Sequence, residues 1–237
     1  MRKLLFTAFA TIAILGCSND LDKLPCMTCG DEYNPYSSGS HPVSSSSVEY
    51  TGGSCNISDY RTVQIGKQVW MAENLNCDVE GGYCYDNEPA NCAKYGRLYD
   101  WETAMNCEKS SCYSDVKYQG ICPSGWHIPS IAEWGELENY VESSNGCRRC
   151  AAKYLKATSE WRVNGNGNDK YGFSALPGGY GDYEGYFYYV GNSGRWWTAT
   201  WGSNTYAYYR DMNYRYEYME YYSEDKSFLY SVRCLQD

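Results

Sequence analysis

The chain has 237 residues, a formal net charge of −9, 13 cysteines and 27 tyrosines. That length holds one globular domain with flanking segments. The acidic balance leaves no basic footprint for a nucleic-acid binder, and 2 histidines argue against a metal enzyme built on imidazole ligands. Ile, Leu, Val and Phe are scarce, which with this charge would ordinarily mean disorder. Tyr and Cys supply the missing apolar mass, so a folded core here must be aromatic and cross-linked to offset chain entropy.

In chain order, Met1-Arg2-Lys3 is a short cationic segment and Leu4 to Leu15 is an apolar run. The run is too short to span a bilayer, which takes ~20 helical residues, and it reads as the core of a signal peptide. It ends in Ile14-Leu15-Gly16-Cys17, which resembles a bacterial lipobox. The resemblance implies that residues 1–16 are a lipoprotein signal peptide and that Cys17 is lipidated; several acyl chains on one residue make a stable anchor. Ser18, rather than Asp, points to the outer membrane, and exposure at the cell surface is the accompanying expectation. Residues 17–55 hold Pro25, Pro35, Pro42 and the run Ser44 to Ser47, with sparse, aperiodic apolar residues. They read as a flexible tether with an end-to-end distance of ~35 Å.

Residues 56–237 form the expected folded domain. Arg61 to Ile65 alternates, Gly66-Lys67 interrupts, and Gln68 to Met71 is again β-prone, which predicts a hairpin. Leu98, Trp101 and Ala104 recur at helical spacing. Ser130 followed by Glu133 predicts a capping box, with Ile131, Trp134, Leu137 and Val141 on one helical face. A shorter helix is expected over Ala151 to Thr158, with Tyr154 and Leu155 inward. Beyond Asn164, Asn-Gly repeats, Pro177-Gly178-Gly179 and short aromatic runs predict strands and long loops. The class is α+β, not α/β.

An odd cysteine total leaves one thiol over in an exported protein, and lipidation of Cys17 makes the remainder even. An oxidising exterior permits all of these to pair. Spacing alone leaves connectivity open. Short separations suit Cys84–Cys92, Cys107–Cys112 and Cys147–Cys150, and Cys122–Cys234 would close a loop of over a hundred residues. Cys26/Cys29 and Cys147/Cys150 could instead supply four thiolates to zinc, or Cys147/Cys150 could be a redox pair; structural bridges suit the exterior better.

Five segments carry a resemblance: Val69-Trp70-Met71-Ala72-Glu73-Asn74-Leu75, Tyr95-Gly96-Arg97-Leu98-Tyr99, Cys122 to Trp134, Gly172-Phe173-Ser174-Ala175-Leu176-Pro177 and Ser231-Val232-Arg233-Cys234. Together they resemble the Fibrobacter succinogenes major paralogous domain family over roughly residues 58–237. More distantly, Trp126 to Trp134 is similar to a segment of the formylglycine-generating enzyme group. The resemblance implies a C-type-lectin-like fold in which an early and a terminal segment meet, favouring Cys122–Cys234. The residues themselves read as structural. His127, between Trp126 and Ile128, is expected to be a hydrogen-bonded core residue, and Trp70, Trp101, Trp126 and Trp134 are expected to pack the core.

Residues 180–222 hold too many rings for a core of this size. Tyr180, Tyr183, Tyr186, Tyr188 and Tyr189 open the stretch. The candidate ligand-binding residues are Trp196, Trp197, Trp201, Tyr206, Tyr208, Tyr209, Arg210, Tyr214, Tyr216 and Tyr218. Exposed Tyr among Asn, Ser, Gly and Arg gives rigid contact area at little entropic cost. The period of two in Tyr214-Arg215-Tyr216-Glu217-Tyr218 would place the rings on one face of a strand. The alternative is that these rings pack over Cys-rich loops in place of aliphatics.

Calcium is the cofactor to test, because many lectins of the implied fold use it. Asn87-Glu88-Pro89-Ala90-Asn91 and Asn164 to Asp169 are oxygen-rich, yet neither matches an EF-hand loop. A solvated loop is the simpler account, and no cofactor is expected. Enzyme motifs are missing: there is no Gly-x-Ser-x-Gly and no phosphate loop. No cysteine lies between Cys150 and Cys234, where a formylglycine-generating type would need its catalytic pair. The expectation is a non-enzymatic surface lipoprotein, anchored in the membrane by lipid, that binds polysaccharide or a surface protein and no nucleic acid. The alternatives are an oxidoreductase of the formylglycine-generating type and a structural envelope lipoprotein.

Overall fold

The hairpin expected after Arg61 forms: β1 (Thr62–Ile65) and β2 (Gln68–Met71) pair antiparallel in the computed structural model, which describes residues 55–107 and 117–237. Gly66 turns the chain at φ +63°, a conformation that favours glycine. The expected signal peptide, lipidated Cys17, Cys26 and Cys29 lie outside the described residues, as does the tether up to residue 54.

Two sheets and short helices make a mixed α+β architecture. In the first sheet the order is β1, β2, β12 (Leu235–Gln236), β5 (Trp126–His127). The last strand is thus inserted between two earlier ones, with Leu235 opposite both Trp70 and His127. The Cys122–Cys234 disulfide fastens the same junction. The second sheet runs β10 (Met219–Asp225), β9 (Tyr206–Asn213), β8 (Ser193–Trp201), β11 (Tyr230–Ser231), β4 (Leu98–Tyr99), β3 (Gly82–Tyr83). Strands β8 to β10 form an antiparallel meander, and β11 joins β8 in parallel. A small hairpin, β6 (Tyr180–Gly181) with β7 (Phe187–Tyr188), stands beside it.

The helices are α1 (Pro89–Tyr95), α2 (Trp101–Met105), α3 (Ile131–Asn145) and α4 (Ala151–Leu155). Helix α3 starts with the expected capping box: the Ser130 hydroxyl accepts from Glu133 N–H while the Glu133 carboxylate accepts from Ser130 N–H. Its Trp134, Leu137 and Val141 are buried. Two expectations need correction. Leu98 is a strand residue, because Asp100 caps α2 by accepting from Thr103 N–H and so begins the helix only at Trp101. Helix α4 stops at Leu155 rather than Thr158, because Ala157 N–H turns away to the carbonyl of Ala175. Tyr154 there is only half-buried.

The core is aromatic, as the composition requires. Trp70, Trp101, Trp134, Trp196 and Trp197 are fully buried. Four of their indole N–H groups have fixed acceptors: Trp101 donates to Thr198 O, Trp197 to Tyr99 O and Trp196 to Asn74 Oδ1, each at 2.8 Å, and Trp70 to Gln68 Oε1 at 3.2 Å. Tyr230 packs 4.3 Å from Trp197 and 4.7 Å from Tyr209 between ring centroids. Disulfides Cys84–Cys92, Cys122–Cys234 and Cys147–Cys150 form as expected, and Cys55–Cys77 adds a bridge that spacing did not suggest. Cys55, placed at the end of the tether, is therefore tied to the domain. Cys107 is disulfide-bonded, and Cys112 lies outside the described residues.

Candidate functional site

Directly opposed residues on neighbouring antiparallel strands share a face of the sheet. On one face of the meander this puts Trp197, Tyr209 and Tyr222 in one row and Arg195, Asp211 and Glu220 in the next. The guanidinium of Arg195 lies 3.9 Å from the centroid of Tyr180, 5.3 Å from that of Tyr209 and 5.6 Å from that of Tyr230. Its Nε lies 3.3 Å from Asp211 Oδ1 and its Nη1 donates to Tyr230 Oη at 3.3 Å. A cation over ring faces is held by their quadrupoles, more strongly as water is excluded.

The electrostatics follow from burial. Burial works against the Arg195 charge, yet the surrounding phenol oxygens and Asp211 hold its pKa above the ordinary value. Burial raises the Asp211 carboxyl, opposed by Arg195 and by the Ser193 hydroxyl that donates to it at 2.6 Å. Burial pushes the Tyr209 phenol up to about 12 and raises Tyr180 and Tyr230 as well. The charge of Glu224 acts on all three phenols, which places a further carboxylate at this cup.

The rim comes from the β6–β7 hairpin. Asp182 shapes its tip by accepting from the N–H groups of Glu184 and Tyr186 and from the Tyr188 hydroxyl. Tyr180 stacks on Tyr189 with centroids 5.8 Å apart and planes 10° from parallel. Tyr189 is 53 % exposed and has φ +63°. A bulky side chain in that left-handed region is strained, and such strain collects at functional sites. Tyr183, 69 % exposed, and Phe228 continue the aromatic rim.

The residues singled out from sequence divide among three places. Trp196, Trp197, Tyr209 and Arg210 are buried, which corrects their expected role as contact surface. Both Trp side chains are core because β8 lies between β9 and β11 with both faces covered. Arg210 is held under helix α3 by Glu138 Oε2 at 3.0 Å. Trp201 and Tyr206 are exposed at the β8–β9 tip, and half-buried Tyr208 packs near Tyr221. Tyr214, Tyr216 and Tyr218 lie in the β9–β10 turn, not on a strand, so the period of two does not set their faces. The turn itself stacks Tyr216 on Tyr218 at 4.9 Å. Arg195, Phe228 and Glu224 are new here, and Tyr180 and Tyr189 belong to the ring-rich stretch but not to the candidate ligand-binding set. The readable signal was the Asp182 to Gly185 tip between two aromatic runs, which marks a displayed hairpin.

Several polar side chains of the two oxygen-rich loops hold local backbone contacts. Asn166 and Asn168 accept from the N–H groups of Trp161 and Lys170, Asp169 accepts from Ser174 N–H and Oγ, and Asn91 donates to Tyr85 O. Among the described residues no group of three or more His, Cys, Asp or Glu could hold a metal ion. Every cysteine among the described residues is disulfide-bonded.

A different cluster lies deep in the core. Arg233 is fully buried and donates to Asn74 Oδ1, to Met71 O and to Phe173 O. The family model described as Fibrobacter succinogenes major domain matches residues 63–236. The chain belongs to this family. No curated protein and no solved structure matches it. In this Fibrobacter succinogenes major domain the motif segments 69–75, 95–99, 172–177 and 231–234 converge on Asn74 and Arg233. Asn74 Nδ2 donates to Tyr95 O and Ser231 Oγ while its Oδ1 accepts from Trp196 and Arg233. Gly96, at φ +78°, passes so close that a Cβ there would sit 2.7 Å from the Asn74 Cβ. His127 is buried with Nδ1 2.8 Å from Asp237 and Nε2 3.0 Å from Glu133. The motif residues of this Fibrobacter succinogenes major domain are thus explained by folding, and the aromatic cup is built from other residues.

Proposed function

We propose that the chain is a non-catalytic binding module, displayed on the outer surface by a lipid on Cys17, that takes neutral carbohydrate on the cup around Arg195 and Tyr180. The observation that carries this reading is Tyr189: an exposed ring, stacked on Tyr180 and held out at φ +63°. A flat ring at fixed orientation suits the apolar face of a sugar, and adjacent carboxylates suit its hydroxyls. Asp211 is matched by Arg195, and Glu220 and Glu224 add negative charge, which favours an uncharged ligand over an acidic one. The C-type-lectin-like fold belongs to the same reading. Its support is the terminal strand inserted between β2 and β5 and locked by Cys122–Cys234.

Retention of the mature protein on insoluble polysaccharides and a glycan array tests the proposal. Wild-type protein is expected to be retained on a neutral glycan and Tyr189→Gly is expected to elute freely with an unchanged melting temperature. No retention on any neutral glycan, or equal retention of the variant, would remove the reading.

A further inference from the structure

The chain is acidic, yet cations gather at one end of the meander. Around the turn 214–218 stand Arg149, Lys153, Arg162 and Arg215, all exposed, with Arg148 next to Arg149. The Arg149 guanidinium lies 4.0 Å from the Tyr218 ring centroid, and Tyr218 stacks on Tyr216. Arg162 and Arg215 each lie 5.4 Å from the Tyr214 ring centroid. Lys153 pairs with Glu217 at 3.0 Å. The other nearby acids are Glu142, whose Oε1 accepts from Cys150 N–H, Glu220, and Glu138, which is within reach of the Arg149 charge and pairs with Arg210. Cations therefore outnumber carboxylates here, against the sign of the whole molecule.

The patch is also built rather than incidental. Cys147–Cys150 closes the turn ahead of α4, and Arg149 within it has φ +54°. The covalent brace thus holds a non-glycine residue in a left-handed conformation, which presents its guanidinium to Tyr218. From below, buried Lys156 donates to the carbonyls of Asn213 and Tyr216 and fixes the turn.

We propose that this patch is a second binding surface, separate from the cup, for an anionic polysaccharide whose sugars carry carboxylates. Each uronate residue offers one ring face and one carboxylate. Tyrosines interleaved with guanidinium groups match that pairing, since the planar fork of Arg donates two parallel hydrogen bonds to a carboxylate. The charge of the rest of the molecule repels polyanions, so binding is confined to this patch and weakens with salt.

Titration calorimetry of the full mature protein with polygalacturonate tests it, with dextran, dextran sulfate and single-stranded DNA as comparisons. Polygalacturonate is expected to bind and dextran not to bind at this patch. The double variant Arg149→Gln/Arg215→Gln is expected to weaken polygalacturonate binding at least tenfold, while Tyr189→Ala leaves it unchanged. Absence of binding, an unaffected double variant, or equal affinity for dextran sulfate or DNA overturns the proposal, the last by showing plain charge attraction. The neutral-glycan reading of the cup can fail without touching this result, because Arg149 and Arg215 take no part in the cup and Tyr189 takes no part in this patch.

Discussion

Arg233 donates from both Nε and Nη2 to the single carboxamide oxygen of Asn74, at 3.0 and 2.6 Å. Among the described residues no carboxylate forms an ion pair with this fully buried guanidinium, and backbone carbonyls and one amide take the place of water. Burial lowers its pKa, as expected for a cation taken out of water, with the charges of Glu73 and Asp169 acting the other way. Removing the amide leaves donors of a buried cation unsatisfied, at a cost of about 3 kcal/mol. Asn74→Ala is therefore expected to lower the unfolding free energy read from urea titration by that much or prevent folding, with disulfides intact. A loss under about 1 kcal/mol would show that water or another acceptor replaces the amide.

Glu133 gives the domain an acid-sensitive joint. Burial raises its pKa, but hydrogen bonds from His127, from Ser130 N–H and from Ser130 Oγ outweigh that and bring it down to about 2 from an ordinary 4.5. A carboxyl depressed in the folded state stabilises above its unfolded pKa, and the contribution disappears as pH falls through the folded value. The loss lies between about pH 4.5 and about pH 2. In thermal melts across that range Glu133→Gln should fall less steeply than wild type. Parallel slopes would mean that the His127 and Ser130 contacts do not persist in solution.

What the sequence made legible was local. Ser130 and Glu133 sit three residues apart and cap the same helix, so their contact needs no tertiary information. The same holds for the β1–β2 hairpin around Gly66. Trp196 and Trp197 failed for a tertiary reason. Adjacent strand residues point to opposite faces, and an exposed role assumes that one face is wet; a central strand with both faces covered buries both. The strand placement of Tyr214 to Tyr218 is corrected to a turn, because alternation alone does not distinguish the two. Here the Asn213 side chain accepts from Arg215 N–H and bends the chain. Arg195 was invisible because Tyr180, Tyr209, Asp211 and Tyr230 reach it from β6, β9 and β11, three separate segments.

Tyr189 should separate stability from binding. Its left-handed backbone costs about 1–2 kcal/mol for a residue with a side chain, and glycine removes that cost. The stacking on Tyr180 returns about 0.5–1.5 kcal/mol, which glycine forfeits. The two nearly cancel, so Tyr189→Gly is expected to keep the wild-type melting temperature while losing glycan retention. A variant that melts much earlier yet still binds would make Tyr189 a packing residue only.

Lys156 sets an alkaline response under the β9–β10 turn. Its ammonium donates to Asn213 O at 3.1 Å and Tyr216 O at 3.0 Å and lies 4.9 Å from the Trp161 ring centroid. Burial lowers its pKa from 10.5 to about 8, with the Glu217 charge opposing that shift. Below about pH 8 both folded and unfolded chains hold the proton, and the folded state carries the cost of the buried charge. Between about pH 8 and 10.5 the unfolded chain still holds a proton that the folded one has released, so stability rises with pH. Buried phenols act oppositely: Tyr209, raised to about 12, favours unfolding once unfolded tyrosines ionise near 10. The lysine effect is therefore read between pH 8 and about 9.5. Lys156→Met keeps a chain against Trp161, removes the buried charge and leaves two carbonyls without their donor, opposing changes that make its midpoint at pH 7 a poor discriminator. The slope discriminates: urea midpoints of wild type should rise across the window, and those of the variant should stay flat or fall. A rise that survives the substitution would assign the alkaline response to another group and leave the Lys156 ammonium charged throughout.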